Sequence, residues 1–290
     1  MKKIIIPGGS GFLGQYLATY FQDLGYEIFI LSRKWKPSKG NIHYAVWDGK
    51  TLEEAWTSTF EGAKAVINLA GRSVDCRYTV ANKKEILESR TQSTKVIGDA
   101  ILNCKIPPKT WLNSSTATIY RYSEDKEMTE TDGEIGEGFS VGVAKAWETM
   151  FHSINTPNTR KVTMRVSIVL GKGGGAMTPI LNLTRFGLGG QQGHGNQFIS
   201  WIHLEDFGRA VDWFLNNKAA NGIYNVVSPK PILNKHFMAL LRKVIKMPIG
   251  LPATKWMIEI GAFFMRTESE LVLKSRQVVP ERLLKEGFTF

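Results

Sequence analysis

The chain has 290 residues, of which 43% are hydrophobic and 22% are charged, a composition typical of a soluble globular protein. No apolar run approaches the roughly 20 residues that a membrane-spanning helix needs, and no signal peptide precedes the first strand, so we expect no membrane partner. The net charge is +11, but acidic residues are mixed among the basic ones, which argues against nucleic-acid binding and favours an anionic ligand.

The cysteines limit the cellular compartment and the metal chemistry. Cys76 and Cys104 form no C-x-x-C pair and have no histidine nearby, so they indicate neither a disulfide framework nor a metal site. We therefore expect a cytoplasmic protein without a bound metal ion. The length lies near the upper limit for one hydrophobic core, which indicates one large domain or a large domain with a small one.

The chain begins with a short apolar run, a glycine-rich turn and an amphipathic segment, which together predict a strand, a tight loop and a helix. Glycine permits a positive φ and lets a ligand approach the backbone, while a helix N-terminus favours a pyrophosphate. The residues predicted to bind a dinucleotide here are Gly8, Gly9, Ser10, Gly11, Phe12, Leu13 and Gly14. The alternative is a strand–helix connection that binds nothing.

A second buried strand is predicted over residues 27–32, and its end indicates which dinucleotide binds. Sites that prefer NAD carry an acidic residue near this position, which holds the ribose hydroxyls. Here the strand ends in Ser32, Arg33 and Lys34, without a carboxylate. Because an arginine binds a phosphate through two hydrogen bonds, these residues favour NADP(H) over NAD(H). An ordinary basic loop is the alternative.

Further strands are predicted over residues 44–47, 65–69, 111–116 and 162–170, with helices over 12–24, 78–104 and 139–152. Alternating strands and helices predict an α/β fold, a Rossmann-type doubly wound parallel sheet that binds ligands at the carboxyl ends of its strands. Other predicted cofactor-binding residues near strand ends are Asp48 at the adenine edge, then Leu69, Ala70, Gly71, Ser114, Ile168 and Val169.

Beyond residue 171 the composition changes, with nine glycines between Gly171 and Gly195. A short strand over 198–202, a helix over 204–216, a strand over 223–227 and helices over 234–245 and 253–264 are predicted after them. We therefore expect a cofactor-binding domain over residues 1–170, to which 204–227 returns. Residues 171–290 are expected to form a smaller C-terminal lobe that covers the substrate.

Several motifs together resemble one family over essentially the whole chain. They are Gly-Gly-Ser-Gly-Phe-Leu-Gly at 8–14, Asn-Leu-Ala-Gly at 68–71, Ser-Ser-Thr-Ala-Thr-Ile-Tyr at 114–120 and Trp-Ile-His-Leu-Glu-Asp at 201–206. They are similar to those of the extended short-chain dehydrogenase/reductases, which include the nucleotide-sugar epimerases. Lys-Ala-Trp-Glu at 145–148, Gly-Gly at 189–190 and the ending after Arg276 resemble the atypical "epimerase family protein" subgroup. That subgroup is associated with NADP(H).

The resemblance also implies catalytic residues. Thr116, at the end of the fifth strand, takes the role of the hydroxyl that polarises the substrate oxygen. Lys145 takes the role of the lysine that holds the nicotinamide ribose and lowers the pKa of a tyrosine four residues earlier. Val141 stands where that tyrosine is expected. Substitute hydroxyls are then offered by Tyr120, which is equally compatible with simple packing, and by Tyr122 and Ser140.

The substrate side departs from the family as well. Nucleotide-sugar epimerases tend to carry Arg-Asp where this chain has Ile-Ser at 199–200, so the cation that grips a sugar-nucleotide diphosphate is absent. Arg72, Arg185 and Lys172 are candidates to bind another anion. Trp201 either lines the pocket or packs in the core. His203 is either a site residue or, as the pattern favours, a structural histidine.

Two functions follow from these residues. The first is an NADP(H)-dependent oxidoreductase or epimerase acting on a carbonyl or carbinol of a small, anionic molecule, with nucleotide-sugar-like compounds among the candidates. The second is a non-catalytic NADP(H)-binding sensor, which the valine at position 141 motivates. Extended members often pair through helices like the one predicted over 78–104, so the resemblance is compatible with a homodimer.

Overall fold

The computed structural model describes residues 2–264, 268 and 270–290. Its centre is a parallel sheet of seven strands in the order β10-β6-β5-β4-β1-β2-β3. The strands are β1 (Lys3–Pro7), β2 (Glu27–Ser32), β3 (Ile42–Val46), β4 (Ala65–Asn68), β5 (Thr110–Thr116), β6 (Arg160–Val166), β7 (Ile168–Leu170), β8 (Phe198–Ile199), β9 (Trp201–His203), β10 (Gly222–Val226) and β11 (Ile232–Leu233).

The helices that follow these strands cover both faces of the sheet. They are α1 (Phe12–Asp23), α2 (Glu54–Thr57), α3 (Val80–Leu102), α4 (Phe139–Ser153), α5 (Met177–Leu183), α6 (Leu204–Asn216), α7 (Asn234–Val244), α8 (Lys255–Phe264), α9 (Glu270–Leu273) and α10 (Glu281–Lys285). Short 3-10 turns lie at Ser58–Phe60 and Ala117–Ile119, and a π-helical turn at Thr184–Leu188. Among the described residues, none of the helices combines the length and the apolar character needed to cross a membrane.

The strand order creates the crevice that positions the site. The chain builds the sheet outward from β1 through β2 to β3, then crosses back so that β4 pairs with the other edge of β1. Parallel sheets of this kind bind ligands beyond the carboxyl ends of the strands, at the point where the order reverses. The predicted Rossmann-type fold is confirmed, and its crevice lies between the ends of β1 and β4.

Alternating side chains of the central strands fill two separate core layers, as a strand's period of two requires. Ile4 and Ile6 face the layer that contains α1 and α6, while Ile5 between them faces the layer that contains α2, α3 and α4. Both faces of the sheet are therefore buried, which explains why β1 and β4 are continuous apolar runs with no polar alternation.

The strand predicted over residues 162–170 is wrong in one respect, because it breaks at Ser167. Its first part is β6 in the large sheet, whereas its second part, β7, leaves that sheet and pairs with β9. The strand predicted over 198–202 divides in the same way, since β8 pairs with β11 and only β9 pairs with β7. These exchanges of partner place β7, β8, β9 and β11 in two small sheets outside the seven-stranded one.

Strand β10 belongs to the seven-stranded sheet, and helix α6 packs in the layer that covers it. Both elements fall within residues 204–227, which are expected to return to the cofactor-binding domain. The last residues of the chain also pack there, because Leu283 and Phe288 belong to the same core layer as α1. Arg282 fixes this tail to the edge strand through hydrogen bonds to the Ile223 carbonyl (2.9 Å) and the Tyr224 hydroxyl (2.8 Å). The C-terminal end thus contacts the unit that the domain division had assigned to residues 1–170.

Candidate functional site

Packing within the protein explains two of the glycines in the loop after β1. Gly8 has φ +74°, and a Cβ there would lie 2.7 Å from the Cα of Ala70. A Cβ on Gly14 would lie 2.3 Å from the Cα of Gly9, so the start of α1 can approach the loop only without a side chain. Gly8 thus lets the β1–α1 turn approach the turn after β4, and Gly14 lets α1 start close against its own loop.

Gly11 has no such internal reason to be glycine. Its φ of −82° suits any residue, and among the described residues a Cβ there would meet only the Gly8 carbonyl oxygen, at 3.7 Å. It is the N-cap of α1, yet no side chain in the described part of the chain caps that helix, and its first turn holds no acidic residue. The helix therefore presents backbone N–H donors and a positive dipole end to solvent, which fits a diphosphate.

The predicted second anion contact lies at the end of β2. Ser32 is buried and donates its hydroxyl hydrogen to the Lys34 carbonyl, while Arg33 and Lys34 are exposed. No ion pair of Arg33 occurs within the described part of the chain, so its guanidinium is available to a ligand. The ammonium of Lys36 lies 5.7 Å from the ring of Tyr44, whose hydroxyl is 3.2 Å from the Gln15 amide nitrogen.

Asp48, predicted at the adenine edge, closes the turn after β3. Its carboxylate accepts hydrogen bonds from the amides of Thr51 (2.8 Å) and Lys50 (2.7 Å) and from the Thr51 hydroxyl (2.8 Å). These bonds, chiefly the one from the Thr51 amide, lower the pKa of the carboxyl. The exposed carboxylate is thus fixed in orientation by its own loop, which is a structural role in addition to the predicted contact.

The buried side-chain amide of Asn68 shapes the turn after β4. The sequence analysis names this residue only as part of the Asn-Leu-Ala-Gly motif. Asn68 accepts a hydrogen bond from the Ala70 amide (3.0 Å) and donates to Asn113 (2.7 Å) and Thr94 (3.3 Å). Asn68, the last residue of β4, is the register partner of Asn113 in the middle of β5. An asparagine in each of two adjacent apolar strands was the signal that could have revealed this role.

The strand β7, with the predicted residues Ile168 and Val169, lies close to the loop after β1. Cβ atoms added to Gly174 and Gly175 would lie 2.5 Å and 3.1 Å from the Phe12 ring, so the glycine-rich segment after β7 packs on the start of α1. The structure thereby brings together the cofactor residues predicted from three separate parts of the chain, namely after β1, after β4 and at β7.

Two different sides of α4 carry Ser140 and Lys145. Ser140 lies 3.4 Å from the Tyr78 hydroxyl, and Trp147 on the same stripe bonds Thr94 of α3 (2.9 Å). Lys145 lies about 140° around the helix from Ser140, at 100° per residue. It is exposed and lines a cleft of about 560 Å³ with His152. The contact of Lys145 with the nicotinamide ribose stays a prediction.

Val141 and Tyr120 both serve packing. Val141 is buried in an apolar cluster with Val278, while Tyr120 is fully buried. The Tyr120 hydroxyl donates to Asn225 Oδ1 (2.9 Å) and accepts from Arg165 Nη1 (2.9 Å). Burial raises the pKa of this phenol. A hydroxyl that already has both partners inside the protein is poorly placed for catalysis, so the structure favours the packing alternative.

Thr116 stands at the end of β5, half-buried, as the motif implied. Its Oγ1 accepts a hydrogen bond from the Thr118 amide (3.1 Å), which caps the 3-10 turn after the strand and leaves its own proton available. The neighbouring Ser115 points the other way and donates to Glu148 (2.6 Å). Ser114, the predicted cofactor contact, is half-buried beside them.

Three of the predicted substrate-site residues already have partners. Arg72 pairs with Glu85 and donates to Asn82 Oδ1 (2.8 Å). The Trp201 indole donates to the Lys230 carbonyl (3.1 Å), and His203 caps α6 by accepting from the Glu205 amide (3.3 Å). The cap formed by His203 is compatible with the structural role that the sequence favours, and the guanidinium of Arg72 already has a carboxylate partner. Arg185 and Lys172 are exposed.

Tyr78 is not among the site residues predicted from the sequence, but the structure places it beside the first turn of α4. Its ring packs edge-on against Phe139 at 4.8 Å, and its hydroxyl faces Ser140. Burial raises the pKa of this phenol, so it remains protonated at neutral pH. Tyr122, the other alternative, is exposed on the surface and bonds Glu124.

Comparison with known proteins supports this architecture. The sequence model of the NAD dependent epimerase/dehydratase family matches residues 4–227, and a domain of unknown function, DUF1731, matches residues 253–290. The epimerase family protein YfhF of Bacillus subtilis is 31% identical over 99% of this chain and 93% of its own length. The human epimerase family protein SDR39U1 (isoform 2), solved with NADPH, has a TM-score of 0.86 and 29% identity, covering 99% of this chain and 94% of that one.

A more distant structure shares the fold alone. It is the UDP-glucuronic acid 4-epimerase of Bacillus cereus, with a TM-score of 0.77 and 13% identity over 99% of this chain and 94% of that one. The family match extends over more than half of the chain, and the resemblance inferred from the motifs is confirmed. The chain belongs to the NAD dependent epimerase/dehydratase family.

Proposed function

We propose that the protein is an NADP(H)-dependent oxidoreductase or epimerase that acts on a carbonyl or carbinol carbon of a small molecule. The observation that carries the proposal is Gly11, a helix-capping glycine that no contact with a described residue requires. It leaves a helix N-terminus, uncapped by any described side chain, open to a diphosphate. The human relative bound to NADPH supports the same choice of cofactor.

In this proposal residues 8–14 hold the diphosphate and the turn at 69–71 lies along the nicotinamide half. Ser32, Arg33 and Lys34 hold the 2′-phosphate. The bound nicotinamide supplies or accepts a hydride. Thr116 orients the substrate oxygen through its hydroxyl proton. The Tyr78–Ser140 pair takes the place of the missing tyrosine, because a phenol that stays protonated at neutral pH can donate a proton to a carbonyl oxygen under reduction.

We further propose that the protein works in the cytoplasm as a homodimer paired through α3. Support for the compartment comes from the two cysteines, both of which are unpaired. Support for the dimer comes only from the resemblance to extended family members that pair through the corresponding helix.

The assigned 2′-phosphate site predicts a change in cofactor preference. We expect Arg33→Ala to weaken NADPH binding about tenfold or more while leaving NADH binding nearly unchanged, because only NADPH carries the phosphate that a guanidinium binds through two charge-assisted hydrogen bonds. Calorimetric titration of both cofactors at low ionic strength measures the effect.

Lys285→Gln is the matched control for Arg33→Ala. Lys285 is an exposed cation on α10 that pairs with Glu281 at 2.7 Å. Because α10 lies against β10, at the opposite edge of the sheet from β2 and β3, this variant removes one positive charge away from the loop after β2. If Arg33→Ala keeps the NADPH-over-NADH preference of the unaltered protein, the assignment of the phosphate site is wrong. If neither cofactor binds the unaltered protein, the proposed function fails with it.

A sensor without turnover is the second candidate function. The observation that favours it is the loss of the family's proton relay, since Val141 is buried in an apolar cluster, Lys145 faces a different cleft and the Tyr120 hydroxyl is fully bonded. A protein that only reports the bound cofactor to a partner has no need of a proton donor.

Thr116 variants separate the enzyme from the sensor. We expect Thr116→Ala to lower NADPH-dependent turnover of a carbonyl panel about a hundredfold, with less than a threefold change in NADPH affinity, because a group that stabilises the reacting oxygen acts on the transition state. Thr116→Ser is the control, since it keeps the oxygen that caps the 3-10 turn. Equal turnover of the alanine variant and the unaltered protein would remove Thr116 from the mechanism, and no turnover of any carbonyl would favour the sensor.

A further inference from the structure

Two segments outside the seven-stranded sheet carry much of the protein's positive charge. Residues 171–204 and 228–258 together contain eight lysines and arginines and no aspartate or glutamate, in a chain whose net charge is +11. The eight are Lys172, Arg185, Lys230, Lys235, Arg242, Lys243, Lys246 and Lys255. The mixing of acidic and basic residues seen along the rest of the chain does not extend to these segments, so they attract anionic partners.

Hydrogen bonds join the two segments into one surface. The Leu251 amide donates to the Gly187 carbonyl (2.8 Å), and the Gly190 amide donates to the Leu251 carbonyl (3.1 Å). The guanidinium of Arg242, on α7, donates to the Gly189 carbonyl. The π-helical turn, the end of α7 and the stretch that leads into α8 are therefore neighbours.

Large apolar side chains are exposed on the same segments. Phe186 on the π-helical turn is 80% exposed, Val244 at the end of α7 is 76% exposed and Trp256 on the first turn of α8 is 62% exposed. Also exposed are Leu188, Leu240, Ile249, Leu251 and Ile260. We call these eight side chains, together with Arg185, Lys243, Lys246 and Lys255, the basic apolar surface. Single exposed apolar residues are ordinary, but a cluster of this size is typical of a binding surface.

Helix α7 shows that these apolar residues are not required by the core. Met238 and Leu241 are buried and attach the helix to the protein. Leu240 and Val244, one turn apart, share an exposed stripe with Lys243. A helix that only packed against its own protein would carry polar residues on this stripe. Lysine and apolar residues together are instead typical of a helix that lies on an anionic bilayer.

The cations of the basic apolar surface are available to a partner. Within the described part of the chain, Arg185, Lys243 and Lys246 form no ion pair, and Lys255 approaches Glu259 only to 4.0 Å. If two copies of the chain met through this surface, its cations would face each other, so charge repulsion opposes self-association. A nucleic acid would match the charges, but it offers no apolar environment for the aliphatic side chains.

We propose that the basic apolar surface binds an anionic phospholipid bilayer, with its apolar side chains inserted among the headgroups and its cations against the lipid phosphates. Aromatic side chains are favoured at the depth of the headgroups, and clustered lysines attract an anionic leaflet. The expectation of no membrane partner rests on the lack of a spanning segment, and a protein can lie on a bilayer without one. The inference is independent of the proposed reaction.

The test is co-sedimentation of the full-length protein with vesicles of phosphatidylcholine alone, or of phosphatidylcholine and phosphatidylglycerol in equal parts. We expect binding to the mixed vesicles at low ionic strength, little binding to phosphatidylcholine alone, and a fall in affinity as salt is added. Lys243→Gln/Lys246→Gln is expected to bind the mixed vesicles about tenfold or more weakly, because two cations near the anionic leaflet are lost. Trp256→Gln is expected to weaken binding about tenfold without any change of charge, because an inserted aromatic ring is lost.

Lys95→Gln/Lys285→Gln is the matched control for the double lysine variant. It also removes two exposed cations, but these lie on α3 and α10, outside the basic apolar surface, and each is paired with a carboxylate one helical turn away. We expect it to bind the mixed vesicles like the unaltered protein. Thermal unfolding of each variant checks the fold, which substitutions at exposed positions are expected to leave intact.

Three results would overturn the proposal. The first is that the unaltered protein does not bind the mixed vesicles at low ionic strength. The second is that Lys243→Gln/Lys246→Gln binds them as tightly as the control variant, or that Trp256→Gln binds them as tightly as the unaltered protein. The third is self-association in sedimentation experiments that Trp256→Gln abolishes, without vesicle binding, which would assign the surface to a second copy of the chain.

Discussion

Gly11→Asp is expected to stabilise the protein while abolishing cofactor binding, two effects of opposite sign from one side chain. Gly11 has φ −82° and ψ 178°, the extended conformation of a helix N-cap, and space for a Cβ. Aspartate is preferred at this position because its carboxylate accepts hydrogen bonds from the first helical amides and interacts favourably with the helix dipole. We expect the free energy of unfolding to rise by about 0.5–1 kcal/mol.

The same carboxylate would occupy the amides proposed to bind the diphosphate and would repel it. Two like charges about 4 Å apart at an effective dielectric constant near 20 interact by roughly 4 kcal/mol, so we expect NADPH affinity to fall about 100-fold or more. Thermal unfolding without cofactor and calorimetric titration with NADPH measure the two effects. NADPH affinity within about threefold of the unaltered protein would show that this loop does not bind the diphosphate.

Gly14→Ala is the matched control in the same loop. Its Cβ would lie 2.3 Å from the Cα of Gly9, so the loop must shift to accommodate one methyl group. We therefore expect a lower unfolding temperature for Gly14→Ala even in the absence of cofactor, in contrast to Gly11→Asp. The comparison separates a glycine required by the fold from a glycine required by the ligand, which glycine spacing alone does not do.

The glycine loop and the sheet could be predicted because their signals are local. A strand, a glycine turn and a helix start occupy residues 3–23, and the alternation of strands and helices determines the class of fold. The break at Ser167 was not predictable in this way. Residues on both sides of it are apolar, and only pairing with β9, more than 30 positions away, separates β7 from β6.

The catalytic assignments were harder because they depend on how α4 is rotated. A Tyr-x-x-x-Lys spacing places two residues on one face of a helix but does not say which face meets the cofactor. Here Trp147 bonds Thr94 and Glu148 bonds Arg165, and these long-range contacts determine the rotation of α4, which places Ser140 beside Tyr78 and leaves Lys145 exposed.

The largest loss of stability is expected from Glu148→Gln. Glu148 is buried, bonds Arg165 at 2.8 and 2.9 Å and accepts from Ser115 at 2.6 Å. Glutamine has nearly the same shape, but it removes the negative charge and turns an amide nitrogen toward a guanidinium nitrogen. Because a buried charge is then left uncompensated, we expect a loss of about 3–5 kcal/mol in the free energy of unfolding, measured by urea denaturation.

The double variant Glu148→Leu/Arg165→Met shows whether the loss comes from the stranded charge or from the pair itself. Replacing both partners of a buried ion pair by apolar residues often changes stability little, so we expect the double variant to be less destabilised than Glu148→Gln. Asp99→Asn, which breaks the exposed pair with Lys95, is the control and is expected to cost at most about 1 kcal/mol. If Glu148→Gln costs no more than this control, water reaches Arg165, and the hydrogen bonds among Ser115, Glu148 and Arg165 do not shield the end of β5 from solvent. The orientation of Thr116, the neighbour of Ser115, would then depend on the hydrogen bond from the Thr118 amide alone.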